Sequence, residues 1–350
     1  MTSALVSAAA ASEAGSARVT RSGPASAATR IVSPLLASTV RPVLEALTFA
    51  GKVLPVRTKW VFAASRLVDA PAAVLAPPRD ARRRQHLLDG FRAEWLWHDT
   101  TVDLMTGADA AMVYFHGGGF ITCGLNTHRR MVAKIAAAAR LPVLAVEYRQ
   151  LPSAHIVQSV EDCRSAYLHL LDVGFPAERI VLCGDSAGAG LAFLLSLRLR
   201  DDGLPLPGAI VAISPWSDLD DAARCAHPNA GRDPYIPSDA LGMVARWGFA
   251  AAGGRGLDPA WSPVNHDFTG LPPVLIQVGS TEVLMSDAER LAQRCAEAGV
   301  DCEMQVWDRA PHVFHILSDV LPEARAAITA IGAFAQRTVH AARPARAPAA

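Results

Sequence analysis

Charge is in short supply in this chain. Only 19% of its residues are Asp, Glu, Lys or Arg, and its 33 basic side chains are offset by 33 acidic ones. A balanced chain sets up no overall field to draw a polyanion, so no nucleic-acid partner is expected. Long apolar runs are missing too: nowhere do about 18 apolar residues follow one another, which excludes an obvious membrane-spanning helix. The six cysteines (Cys123, Cys163, Cys183, Cys225, Cys295 and Cys302) are scattered, with no C-x-x-C pair. They read as buried reduced thiols, and no metal cluster is expected. Residues 1–15 are rich in alanine but have neither a basic start nor a solid apolar stretch, which argues against a secretory signal and for a cytoplasmic protein. No internal repeat is evident.

What is present is apolar material, 51% of the residues, enough for one large α/β domain. Residues 1–30 are dominated by Ala, Ser, Gly and Thr and read as disordered, as does the Ala/Pro/Arg tail at 341–350. Residues 31–70 carry interrupted amphipathic helical segments in which Lys52, Arg57, Lys59 and Arg66 fall among Trp60 and Phe62. The favoured reading of 31–85 is a helical cap over a site; contact of residues 31–70 with a membrane surface is the alternative. Residues 71–84, with three prolines and the arginines 79 and 82–84, read as a connector with a solvated face. From 86 to 340 the chain alternates strand-length apolar runs with helical patterns. The runs are 91–97 (an edge strand), 110–115, 142–148, 180–183, 209–213, 274–278 and 302–307. Near-continuous apolar strands alternating with helices predict a mainly parallel sheet covered on both faces, with ligands at the carboxyl ends of its strands. Residues 218–263, broken by five prolines, are too long for a plain loop and read as an insertion whose helix joins the cap.

The motifs follow those strands. After 180–183 comes Gly184-Asp185-Ser186-Ala187-Gly188, a G-x-S-x-G between a strand and a helix. A turn that sharp leaves no room for side chains at Gly184 and Gly188 and pushes Ser186 out at the positive end of the helix. A serine hydroxyl needs a base, a group to orient that base, and donors for the oxyanion. Arg309-Ala-Pro-His312-Val-Phe-His315 follows the last strand and offers His312 as the base, with His315 as its rival. The loop after 274–278 offers Glu282 or Asp287 as the acid. Asp287 opens the next helix beside Ser286, where a carboxylate serves as an N-terminal charge, so Glu282 is preferred. Phe115-His116-Gly117-Gly118-Gly119-Phe120 follows another strand, and an H-G-G-G loop pairs with the N–H after the nucleophile, here Ala187, to bind an oxyanion. A phosphate cradle is the poorer reading, because no Gly-Lys-Ser/Thr is present and no G-x-G-x-x-G has an acidic partner.

Together, His116–Gly119, Gly184–Gly188 and His312-Val-Phe314 resemble the bacterial hormone-sensitive-lipase-like (family IV) esterases of the α/β-hydrolase superfamily. The likeness runs from about residue 110 to the last helix and includes Tyr148-Arg149 and Ser214-Pro-Trp216. The resemblance implies an α/β-hydrolase fold with a helical cap and a serine carboxylesterase that needs no cofactor and no metal. It implies Ser186 as nucleophile, His312 as base, and N–H donors at Gly118, Gly119 and Ala187. Ala189 replaces the usual final glycine, and Glu282-Val-Leu284 stands where the family has Asp-Pro-Leu, so Glu282 matches the acid but on a longer arm. The stretch Gln150–His155 departs from the pattern as well. The expected substrate is a short- to medium-chain acyl ester. An amidase or lipid deacylase with the same residues, a non-catalytic binding protein on the same fold, and a homodimer are the alternatives carried forward.

Overall fold

The computed structural model describes residues 17–53, 68–99, 107–251 and 257–341. Nine strands form a single sheet. They are β1 (Arg18–Arg21), β2 (Ala81–Leu88), β3 (Phe91–His98), β4 (Ala111–Phe115), β5 (Val143–Val146), β6 (Ile180–Asp185), β7 (Ala209–Ile213), β8 (Val274–Gly279) and β9 (Cys302–Trp307). The helices are α1 (Ala27–Val53), α2 (Leu125–Ala139), α3 (Ile156–Asp172), α4 (Ala187–Asp201), α5 (Ala222–Ala226), α6 (Ala240–Ala251), α7 (Met285–Glu297) and α8 (Pro322–Ala341).

The strand order is β1-β9-β8-β7-β6-β4-β5-β3-β2. β3 runs antiparallel to both its neighbours; every other pairing is parallel. The central strands are buried on both faces, and alternate residues feed two cores. In β4, Ala111, Val113 and Phe115 join the core beneath α3, α4 and α7. Met112 and Tyr114 point the other way, into the core formed with α2 and α8. Parallel register brings the carboxyl ends of neighbouring strands level: Phe115 pairs with Gly184, and Asp185 with Ile213.

Four expectations need correction. Residues 17–30 are ordered. β1 pairs in parallel with β9, and α1 starts at Ala27, its approach fixed by Ala25 N–H on Asp308 (2.9 Å) and Ser26 N–H on Glu323 (2.6 Å). Arg-Val-Thr-Arg shows no apolar run because an outermost strand is held mainly by its backbone. The interrupted segments at the start of 31–70 are one helix through Val53, with Pro34 and Pro42 inside it. Both prolines sit at exposed positions, as do Arg30 and Ser38, whose carbonyls they deprive of a donor. The arginine run is no connector: Arg82, Arg83 and Arg84 lie on β2, the true edge beyond β3, and charge on an exposed edge deters pairing with another chain. After α1 the chain therefore re-enters the sheet at residue 81, ahead of the cap boundary expected at 85, and 91–98 is an interior strand. Residues 1–16, 54–67 and 342–350, with the segments expected there, lie outside the described residues. The 218–263 insertion carries α5 and α6, and α6 packs against α1.

Candidate active site

Ser186 stands between the last residue of β6 and the first of α4, with φ 51° and ψ −119°. Such a backbone costs roughly 1–3 kcal/mol for a residue with a side chain and persists only where its surroundings impose it. They do so here: Ser186 N–H donates to the Ile213 carbonyl (2.8 Å), and Trp216 N–H donates to the Ser186 carbonyl (3.0 Å). The flanking glycines are sterically required. A Cβ on Gly184 would run into the Gly188 carbonyl, and one on Gly188 into the Phe115 carbonyl.

His312 lies in the loop after β9, and its Nδ1 is 2.8 Å from Glu282 Oε2. Glu282 is fully buried in the turn after β8, and its other oxygen accepts from Gly279 N–H (2.6 Å) and Ser214 Oγ (2.8 Å). A carboxylate held this way has only lone pairs to offer, so His312 carries its hydrogen on Nδ1 and keeps Nε2 as an acceptor. Burial works against the charged imidazole, but the hydrogen bond and charge of Glu282 outweigh it and raise His312 above its ordinary pKa. The longer arm of glutamate is accommodated by folding the turn back on itself, Glu282 N–H reaching the Gly279 carbonyl at 3.1 Å.

The rival residues are occupied elsewhere. Asp287 accepts from the N–H groups of Ser217 (2.9 Å) and Asp218 (2.8 Å) and pairs with the fully buried Arg224 (3.2 Å). It thus fastens the start of the insertion to α7. His315 is buried with Nε2 on the Gln277 side-chain oxygen (2.7 Å), and burial drives its pKa down to about 3.

Ser186, His312, Gly118 and Gly119 line one cavity of about 270 Å³. Leu44 of α1 and Ala240, Leu241 and Val244 of α6 form part of its wall, with Ile121, Tyr235 and Ile236. Both glycines have positive φ, 114° and 63°. A side chain at Gly118 would strike the Thr122 carbonyl, which keeps that loop tight against the cavity. Ala187 is the first residue of α4, where N–H groups have no partner within the helix. His116, by contrast, supports the loop from behind. It is buried, stacks on Tyr148 with ring centres 4.5 Å apart, and holds the Gly117 carbonyl (2.7 Å). Burial, then the neighbouring His128, lowers its pKa to about 4. Among the described residues no group of three or more His, Cys, Asp or Glu side chains is placed to hold a metal.

Sequence reasoning gave no role to Ser214 and did not reach Asp233. Ser214, at φ 44°, bridges Glu282 and Val313 N–H (3.2 Å), and Asp233 accepts from Val283 N–H at 2.7 Å. Ser214 had a signal, its Ser-Pro-Trp context after a strand. Asp233 sits in a Pro-rich insertion with no signal of its own.

Residues 112–316 match the α/β hydrolase fold family. The chain is 36% identical over 320 residues to the carboxylesterase/phospholipase LipF of Mycobacterium tuberculosis, covering 90% of this chain and 83% of that one. It is 36% identical over 299 residues to the esterase LipU of the same organism, covering 84% and 97%. Among solved structures, an esterase of the bacterial hormone-sensitive lipase family matches with a TM-score of 0.76 at 33% identity, over 90% of this chain and 99% of that one. This chain belongs to the α/β-hydrolase family and, within it, to the hormone-sensitive-lipase-like esterases.

Proposed function

We propose that the protein is a serine carboxylesterase acting on short- to medium-chain acyl esters. The observation that carries this reading is the 2.8 Å contact between His312 Nδ1 and a buried Glu282, beside a cavity that His312 shares with Ser186. In the proposed cycle, His312 Nε2 takes the proton of Ser186 Oγ as that oxygen attacks the ester carbonyl. The carbonyl oxygen becomes an oxyanion received by the N–H groups of Gly118, Gly119 and Ala187. Collapse of the tetrahedral species breaks the bond to the alkoxide, which leaves with the proton from His312. Water, deprotonated by His312, then cleaves the acyl-enzyme and frees the acid.

The cavity size supports the substrate class. At about 270 Å³ it sits just below the roughly 300–1,000 Å³ of pockets that take drug-sized ligands, and apolar side chains dominate its wall.

The test is hydrolysis of a p-nitrophenyl ester ladder from acetate to palmitate by the native protein and Ser186→Ala. Turnover peaking at the short rungs and abolished by the substitution is expected. Near-native turnover by a folded Ser186→Ala would end the assignment. A rate rising toward palmitate would point to lipid deacylation, and turnover of anilides in preference to esters to an amidase.

A further inference from the structure

Behind the H-G-G-G loop lies a buried polar chain that the cycle above leaves unexplained. It starts at Asp185, the variable position of G-x-S-x-G, where the turn itself makes no demand for a carboxylate. Asp185 is only 2% exposed. Its Oδ1 accepts from Tyr114 Oη (2.6 Å) and from Gly117 N–H (2.9 Å), and its Oδ2 faces His128 Nε2 at 3.2 Å. The fit is close: a Cβ on Gly117 would collide with this carboxylate.

His128, on α2, is 4% exposed, and both ring nitrogens are engaged. Nδ1 lies 2.9 Å from Thr127 Oγ, which is itself 3.0 Å from Asp69 Oδ1 and from the Gly124 carbonyl. The single hydroxyl hydrogen of Thr127 is best spent on the anionic Asp69, which leaves its lone pair toward Nδ1. A carboxylate on one side and a hydroxyl lone pair on the other call for N–H at both nitrogens, the imidazolium form. The electrostatics agree. Burial disfavours a charged His128, but the charge and hydrogen bond of Asp185, together with the Gly124 backbone and Asp69, outweigh it and raise the histidine above its ordinary range. Burial likewise opposes an ionised Asp185, and His128, joined by the Tyr114 hydrogen bond and His116, outweighs it and lowers its pKa.

The geometry points to His128 as a positioning residue for the oxyanion donors: its imidazolium fixes the Asp185 carboxylate, which holds Gly117 N–H and so aims the adjoining Gly118 and Gly119. This rests on the esterase reading. His128 and Asp185 both belong to the cavity wall, so the chain Asp69–Thr127–His128–Asp185–Gly117 ends at the loop where the oxyanion would form. An ester in its ground state asks little of those donors; the tetrahedral oxyanion asks much. Loosening the loop therefore lowers kcat and leaves KM in place.

The experiment compares His128→Gln, which keeps one donor near the position of Nε2, with His128→Leu, which keeps none. Both are assayed on p-nitrophenyl butyrate beside the native protein and Ser186→Ala, with circular dichroism and melting to establish folding. Removing an oxyanion donor outright costs roughly 10²–10³ in rate, so misaiming the donors should cost roughly 10- to 100-fold in kcat. KM should stay within about twofold, with His128→Gln the milder of the two. A folded His128→Leu with native kcat, or with raised KM and native kcat, overturns the inference. Should the leucine variant fail to fold, Asp185→Asn decides by the same split: it keeps an acceptor for Gly117 N–H and removes the charge. Activity surviving in Ser186→Ala would instead sink the esterase reading, a different result from native kcat in the His128 variants.

Discussion

Glu282→Gln and Asp287→Asn replace two buried carboxylates with isosteric amides, and the structure assigns them opposite consequences. Glu282 offers only lone pairs to three donors: His312 Nδ1 at 2.8 Å, Gly279 N–H at 2.6 Å and Ser214 Oγ at 2.8 Å. A glutamine cannot satisfy all three. With its NH2 toward His312, it opposes donor to donor or forces the hydrogen onto Nε2, the atom the proposed base must keep free. With its oxygen toward His312, the NH2 faces Gly279 N–H, and an unsatisfied buried group costs about 1–3 kcal/mol. The imidazolium that the proposed cycle forms on His312 loses its counter-charge in either orientation. A charge-assisted hydrogen bond contributes about 1.5–3 kcal/mol, one to two decades in rate. The wrong tautomer raises the loss toward the roughly 10⁴-fold known for the analogous acid-to-amide change in a serine protease. The expected fall in kcat for Glu282→Gln is therefore roughly 10²–10⁴-fold, with the fold retained. Asp287→Asn leaves the rate of folded protein near native but strands Arg224, which is fully buried. Breaking a buried pair from one side costs about 3–5 kcal/mol, so its signature is a lower melting temperature. Active-site titration with a serine-directed inhibitor, to correct kcat for folded enzyme, paired with thermal melts, reads both. A larger corrected kcat loss in Asp287→Asn than in Glu282→Gln would refute the reasoning.

A base of the proposed kind acts in its neutral form, and His312 is raised above its ordinary 6.5, so kcat/KM should decline on the acid side as pH falls through a value above 6.5. By linkage, the His312–Glu282 pair contributes stability that is full below 6.5 and lost as pH rises through the raised value; an acid limb at or below 6.5 would contradict the pairing. Val244 stands beside Gly119 on the cavity wall, so Val244→Trp should move the preferred ester toward acetate and reduce kcat/KM for hexanoate by roughly 10-fold or more, the scale of a lost apolar contact. An unchanged ladder would place the acyl chain elsewhere.

The parts of the fold legible in the sequence are those whose side chains are buried on both faces. Residues 180–185 are apolar until the turn because no side of β6 meets water. β1 and β2 were not legible for the converse reason: at the rim of a sheet the backbone makes the bonds and the side chains stay polar, which is why Arg82–Arg84 read as a solvated connector. The candidate site divides in the same way. Ser186 and His312 follow strand ends in a recognisable order, and their motifs are local. The sequence favoured Glu282 over Asp287 on local grounds, but the donors that separate them, from Arg224, Ser214 and Gly279, arrive from separate segments. Asp233 and His128 act on backbone N–H groups and on another carboxylate, and such contacts leave no spacing to read.

Asp233 also explains why the covering helix and the acid loop are not separate parts. Its carboxylate is buried, accepting from the N–H groups of Tyr235 (2.7 Å) and Ile236 (2.9 Å) as well as from Val283, the residue after Glu282. Burial, and next the charge of Glu282, raise its pKa, so its place there is maintained by those N–H donors. Four residues earlier, the Asn229 amide holds the carbonyls of Ser280 (3.0 Å) and Glu282 (2.9 Å). The same short segment receives α1 from the other side, where the Arg41 guanidinium donates to the carbonyls of Gly231 and Asp233. Tyr235 and Ile236 meanwhile face the cavity. Residues 229–236 thus hold the acid loop, anchor α1 and line the cavity, so the orientation of His312 and the closure of the cavity rest on one stretch of backbone.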